Sequence, residues 1–268
     1  MAGSVVKGFR AALGFLTSIP VSIKDGDYES FISRVYLFIP VGLLAGLLTG
    51  TAGLVFQWLL PAPFAAVLTI GSIYLATGIN HIDGLADTAD GLVTSGPREK
   101  KIRSMKDVHA GAGGIMAIGL DLLFLYALLS TFAGSDMPLL YPLLVAETGA
   151  KVAMITMIAF GKSLGPGMGA VAIAAAKKSH YAVGVIVAWA AITVAMVSTG
   201  MLYDGIPVWR IWMAGIAAML SPIVAAAILM SVADRNFGGV NGDVMGAANE
   251  IGRITSLIVM GVILWTHF

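Results

Sequence analysis

Apolar stretches of bilayer-spanning length recur along this chain, separated by more polar connections of which the longest is 81–113. A spanning helix needs roughly 20 mostly apolar residues, and seven segments meet that length: about 36–60, 62–80, 114–133, 140–160, 181–202, 211–232 and 245–266. Backbone inside lipid must satisfy its own hydrogen bonds, so runs of this length are helices. Composition agrees: 58% of the 268 residues are hydrophobic and 12% charged, about half the charged share of a soluble domain. The expectation is an all-α integral membrane protein, a single polytopic domain over residues 1–268. Residues 5–19 are apolar but short, carry Lys7 and Arg10 and stop at Pro20. They predict a short N-terminal interfacial or re-entrant helix.

Basic residues set the expected sides. With the N-terminus in the cytoplasm, Lys7, Arg10, Lys24 and Arg34 lie inside. The loop after the second span adds Arg98, Lys100, Lys101, Arg103 and Lys106, the next inner loop Lys162, Lys177 and Lys178, and the last Arg235. The opposite orientation would place this excess outside, so the prediction is a multi-pass protein of the cell membrane, N-terminus in and C-terminus out. A net charge of +1 gives no basic face for nucleic acid, and the absence of cysteine excludes disulfides, zinc thiolate sites and a thiol nucleophile. Gly42, Gly46 and Gly50, four residues apart on the first span, predict close helix packing.

The second predicted span runs into Asn80-His81-Ile82-Asp83-Gly84-Leu85-Ala86-Asp87-Thr88-Ala89-Asp90-Gly91. Asp83, Asp87 and Asp90 stand at i, i+4 and i+7, one face of a helix. Carboxylates gathered so closely repel one another, and each would cost about 2.5–3.5 kcal/mol at mid-membrane. A cation offsets both terms, and hard oxygen ligands suit Mg²⁺, with Mn²⁺ as the alternative. The competing interpretation is a solvated helix end with scattered acids. A second acidic group, Asn241-Gly242-Asp243 to Glu250, follows Gly238-Gly239 in the last inner loop. It lies on the same predicted side, so two helix ends together complete a metal site. Asp243 equally suits a helix N-cap, and the glycines suit either a turn or an anion-binding nest.

Between these clusters, Arg98 to Lys106 hold the loop inside or grip an anionic substrate. The following Gly111-Ala112-Gly113-Gly114 would offer N–H donors at a helix start. Glu147 and Lys151, at i, i+4 inside the fourth span, predict an intramembrane pair. His81 suits helix packing as well as a role as base or ligand.

Across nearly the whole chain the sequence resembles the cobalamin synthase family, the adenosylcobinamide-GDP ribazoletransferases. HIDGLADTADG and GGVNGDVMGAANEIG carry the likeness most specifically; FLTSIPV, ISRVYLFIPVGLLAG and MKDVHAGAGG follow in register. The resemblance implies a Mg²⁺-dependent transferase at the cytoplasmic face. It would join adenosylcobinamide-GDP to α-ribazole or its 5′-phosphate, giving adenosylcobalamin or its phosphate and releasing GMP. Expected metal ligands are Asp83, Asp87, Asp90 and Asp243, expected catalytic groups Asp83 and His81, and expected substrate and phosphate contacts Arg34, Lys106, His109, Asn241 and Glu250. Partners are the two small substrates and membrane lipids, with self-association left open. The chain departs from the family pattern at His109 and Glu147, where arginine is frequent, and at Arg253, where an acid is frequent. Val240 and Asn241 replace a Gln-Thr pair.

Two other classes remain as alternatives. A CDP-alcohol phosphotransferase also gathers aspartates at a membrane surface, but its pattern needs Ala-Arg after the second acid and a downstream Gly-x₃-Asp-x₃-Asp, both missing here. A polyprenyl transferase would need a second aspartate-rich motif. A metal or solute transporter would line a pathway with acids at mid-membrane on several helices.

Overall fold

The computed structural model describes residues 2–24, 26–135, 137–202 and 206–265. Every regular element among them is helical, as expected. The helices are α1 (Ala2–Leu16), α2 (Asp27–Ile32), α3 (Phe38–Leu59, entered through a 3₁₀ turn at Val35–Leu37), α4 (Ala62–Thr77), α5 (Asn80–Val93) and α6 (Arg98–Met105). They continue as α7 (Ala112–Ala133), α8 (Leu140–Phe160), α9 (Met168–Ala175), α10 (Lys178–Leu202), α11 (Val208–Asn236) and α12 (Gly242–Trp265). Six are long and apolar enough to cross a membrane, and the number reaches seven if the bent pair α4 and α5 is counted as one span.

α8 is the axis of the bundle. Nearly every residue from Tyr141 to Ile158 is buried, enclosed by α3, α10, α11 and α12. The glycine series on α3 makes this possible: a Cβ at Gly42, Gly46 or Gly50 would fall 2.7–2.9 Å from atoms of α8, mostly backbone. Small residues let membrane helices approach until their backbones touch, so the packing expectation for these glycines is met. Outward-facing Leu47, Val67, Leu123, Ile186 and Leu220 are exposed, which in lipid is an ordinary apolar boundary. α1 forms where a short helix was predicted, and its Arg10 holds the buried Asp27 of α2 through Nε at 3.0 Å.

The sequence reading is corrected at the second span. α4 stops at Thr77, Gly78 takes φ +72°, and α5 leaves at 96° to α4. The left-handed turn is one that glycine accommodates without steric cost. The aspartates therefore ride on a separate helix that turns away from the crossing, not on the end of the span. α5 packs between α7 and α12.

Candidate functional site

The starts of α5 and α12 lie side by side because neither helix carries a side chain at the contact. A Cβ on Gly84 would stand 2.7 Å from the Asp243 carbonyl oxygen, and one on Gly246 would stand 3.1 Å from that of His81. Backbone contact at this spacing brings Asp83 and Asp87 on one helix toward Asp243 on the other. Asn241 fixes the second helix: its Oδ1 accepts the Val244 N–H at 3.1 Å, and its Nδ2 donates to Asp243 Oδ2 at 2.7 Å. Asn241 thus acts as an N-cap, while Asp243 is oriented by it and is not itself the cap.

The electrostatics of this junction are those of acids short of a cation. Burial first, then the charges of Asp243, Asp83 and Asp90, push the Asp87 carboxyl up to about 6 from the usual 3.8. Asp83 is exposed and takes no hydrogen bond from another described residue. Lys106 is the basic side chain whose charge reaches Asp243. Among the described residues no three acids or histidines stand close enough together to hold a metal ion. The side chains gathered at the junction are carboxylates, and burial, with their mutual repulsion second, raises the proton affinity of Asp87. Carboxylate oxygens are the donor type that hard divalent cations take.

Asp90 faces elsewhere. It is buried, and its carboxylate accepts the Gly111 N–H at 2.7 Å and the Gly114 N–H at 2.9 Å. These are the amides at the start of α7, where an anion is favoured by free N–H groups and the helix dipole. The expected phosphate donors of that glycine-rich approach are therefore engaged by the protein's own carboxylate. Asp90→Ala should release α7 and lower stability by about 1–3 kcal/mol, measured by unfolding the detergent-solubilised protein in SDS. Unchanged stability would remove this anchoring role.

The remaining predicted positions fall into two places. Lys106 and His109 lie on the exposed loop between α6 and α7, where His109 Nδ1 sits 3.0 Å from Asp107 Oδ1. Arg34, at the turn between α2 and α3, donates to Ser30 O at 3.0 Å and Ser33 Oγ at 3.1 Å. Glu250 is 1% exposed and bonded to Arg253 and Asn249 inside the bundle, apart from the residues that line the cavity. Gly238 caps α11 with φ +95°, and Gly239 packs on Lys162, so these glycines serve the turn.

A cavity of about 330 Å³ opens against the junction. Asn80, His81, Asp83 and Asp243 line one part of it, and apolar side chains from α1, α2, α3, α8 and α9 line the rest. His81 is buried, and its Nδ1 has no partner among the described residues. The apolar wall had no signature in the sequence: its residues come from five helices, and α9 is too short to register as a span.

The sequence matches the profile of the family described as CobS, cobalamin-5-phosphate synthase, over residues 8–261. It is 60% identical to the adenosylcobinamide-GDP ribazoletransferase of Methanocella arvoryzae over the whole of both chains. The protein of that name from Methanosarcina barkeri is 35% identical over 97% of this chain and 94% of its own. That from Pyrococcus abyssi is 32% identical over 94% of this chain and 96% of its own. No solved structure matches this chain.

Proposed function

This chain belongs to the cobalamin-5-phosphate synthase family, and on that premise we propose that it joins adenosylcobinamide-GDP to α-ribazole, or to α-ribazole 5′-phosphate, with release of GMP. It is an enzyme of cobalamin synthesis, a transferase built on membrane-spanning helices. The geometry that carries the finer assignment is the contact of Gly84 with Asp243, which sets two acidic helix starts against one cavity.

Asp83, Asp87 and Asp243 would hold Mg²⁺, with Mn²⁺ as its substitute; Asp90 is committed to α7. When bound, the ion neutralises diphosphate charge and eases departure of the anionic leaving group. The chain's own groups position the nucleophile. The ribose 3′-hydroxyl of ribazole donates a hydrogen bond to the exposed carboxylate of Asp83, beside His81 on the cavity wall, which orients its oxygen. That oxygen bonds to the phosphorus bearing the cobinamide as the bond from phosphorus to the bridging oxygen breaks. GMP departs with that bridging oxygen. The hydroxyl proton passes to Asp83, the most exposed of the three acids. Asn241 keeps Asp243 in place, and Lys106 supplies positive charge at the polar entrance. The excess of Lys and Arg at this end of the bundle supports a cytoplasmic site in the cell membrane.

Purified full-length protein in detergent, given adenosylcobinamide-GDP, should release GMP only on addition of α-ribazole. EDTA should reduce that release by about 10²-fold or more, and Mg²⁺ should restore it. GMP release that survives exhaustive chelation would defeat the metal assignment, and no GMP release at all would defeat the function.

A further inference from the structure

The cavity beside the acidic junction has two chemically distinct parts. Its polar part holds His81, Asp83 and Asp243. Its apolar part is walled by Phe31, Val35, Phe38, Met154, Ile158 and Met168. Phe31 and Phe38 are buried and stacked with ring centroids 5.0 Å apart and planes 24° from parallel, so this wall is packed and rigid. None of those six side chains carries an N–H, an O–H or a carbonyl.

From this division we infer that the apolar part is the seat of the acceptor's base. The wall formed by Phe31, Phe38, Met154 and Ile158 takes a planar, weakly polar bicyclic heterocycle of the benzimidazole class. Its attached ribose then reaches His81 and Asp83. The inference rests on the ribazole transfer proposed above and assigns one of its two substrates to a place.

Three observations favour that occupant over the rest of the donor substrate. A cavity of about 330 Å³ lies at the small end of the range for ligand sites, roughly 300–1,000 Å³, and a corrin macrocycle with its side chains is far larger. Guanine has the right shape, but its amide edge carries two kinds of donor and a carbonyl. Against this wall those groups would lose water and find no partner, at about 1–3 kcal/mol for each unmade bond. A dimethylbenzimidazole presents methyl groups and aromatic C–H to the same surface. Finally, His81, Asp83 and Asp243 line the polar part, and Asp83 is exposed there, so the hydroxyls of the attached sugar meet polar groups on that side. The guanosine end of the donor is thereby excluded from the cavity and left to the open, basic side of the junction.

Ala172 lines the cavity from α9 and is half-buried, so Ala172→Phe narrows the apolar part from a helix at the bundle's edge. The KM for α-ribazole should rise about tenfold or more, while the KM for adenosylcobinamide-GDP moves less than about twofold. Benzimidazole riboside, lacking both methyl groups, should lose less. A parallel rise for the corrinoid, or no change for ribazole, overturns the assignment. A second measurement needs no variant: equilibrium dialysis of labelled α-ribazole with the wild-type protein in detergent. Free 5,6-dimethylbenzimidazole should displace the label and guanosine should not. Equal displacement by guanosine, or no ribazole binding, overturns the inference. Ribazole binding without GMP release would instead sink the proposed reaction and retain the base site.

Discussion

Asp83→Asn should cut GMP release by about a thousandfold while the protein still inserts, purifies and elutes as the wild type does. The size follows from removing one of the preorganised charged groups on which phosphoryl transfer depends, typically worth about 10²–10³ in rate. The specificity follows from position. Asp83 is exposed and its carboxylate makes no hydrogen bond to another described residue, so an isosteric amide costs the fold little. Asp87 and Asp243 remain to bind the ion, and a raised Mg²⁺ concentration should recover only part of the rate. Asp90 provides the contrast, because its carboxylate is spent on the amides of Gly111 and Gly114. Its loss should appear as instability, whereas the loss of Asp83 should appear as inactivity. A fully active Asp83→Asn enzyme would remove this residue from the chemistry.

That contrast marks where sequence periodicity stopped being informative. The i, i+4, i+7 spacing placed Asp83, Asp87 and Asp90 on one helix face, and α5 is indeed a helix. Periodicity along one helix carries no information about which neighbour meets which turn of it. α12 arrives at Gly84 and α7 at the opposite end, so the same face is divided between a junction and an anchor. The seven apolar segments predicted the bundle well because each spanning helix satisfies its backbone by itself. The 96° turn after Gly78 was not legible, since one glycine in an apolar run more often packs than turns. The cavity wall was the least legible part. Its phenylalanines and methionines have the composition of any buried helix, and only the tertiary arrangement gathers them beside His81.

The largest effect on stability should come from Arg253. Glu147 and Lys151, four apart on α8, were expected to pair with each other, but both look across to α12. Arg253 Nε bonds Glu147 Oε1 at 2.5 Å, another of its nitrogens bonds Glu250, and Lys151 Nζ donates to Asn249 at 2.6 Å. Asn249 in turn donates to Glu250 at 2.9 Å, and all five side chains are buried. α8 and α12 come this close because Gly252 meets the backbone of Ala150 and Gly149. The two glutamates and two cations balance within the bundle. Arg253→Met strands two buried carboxylates, which should cost about 3–5 kcal/mol and leave little folded protein in an SDS titration. Glu147→Arg alone should be comparably damaging, since it surrounds Glu250 with three cations. The resemblance described above expects the opposite charges at these two positions, an arginine at 147 and an acid at 253. Their direct contact makes them one inverted pair. Combining Glu147→Arg with Arg253→Glu keeps two cations and two acids in the same space, and should recover more than half of the stability lost by either alone. A double variant as unstable as the sum of its parts would show that these side chains contribute separately, not as a pair.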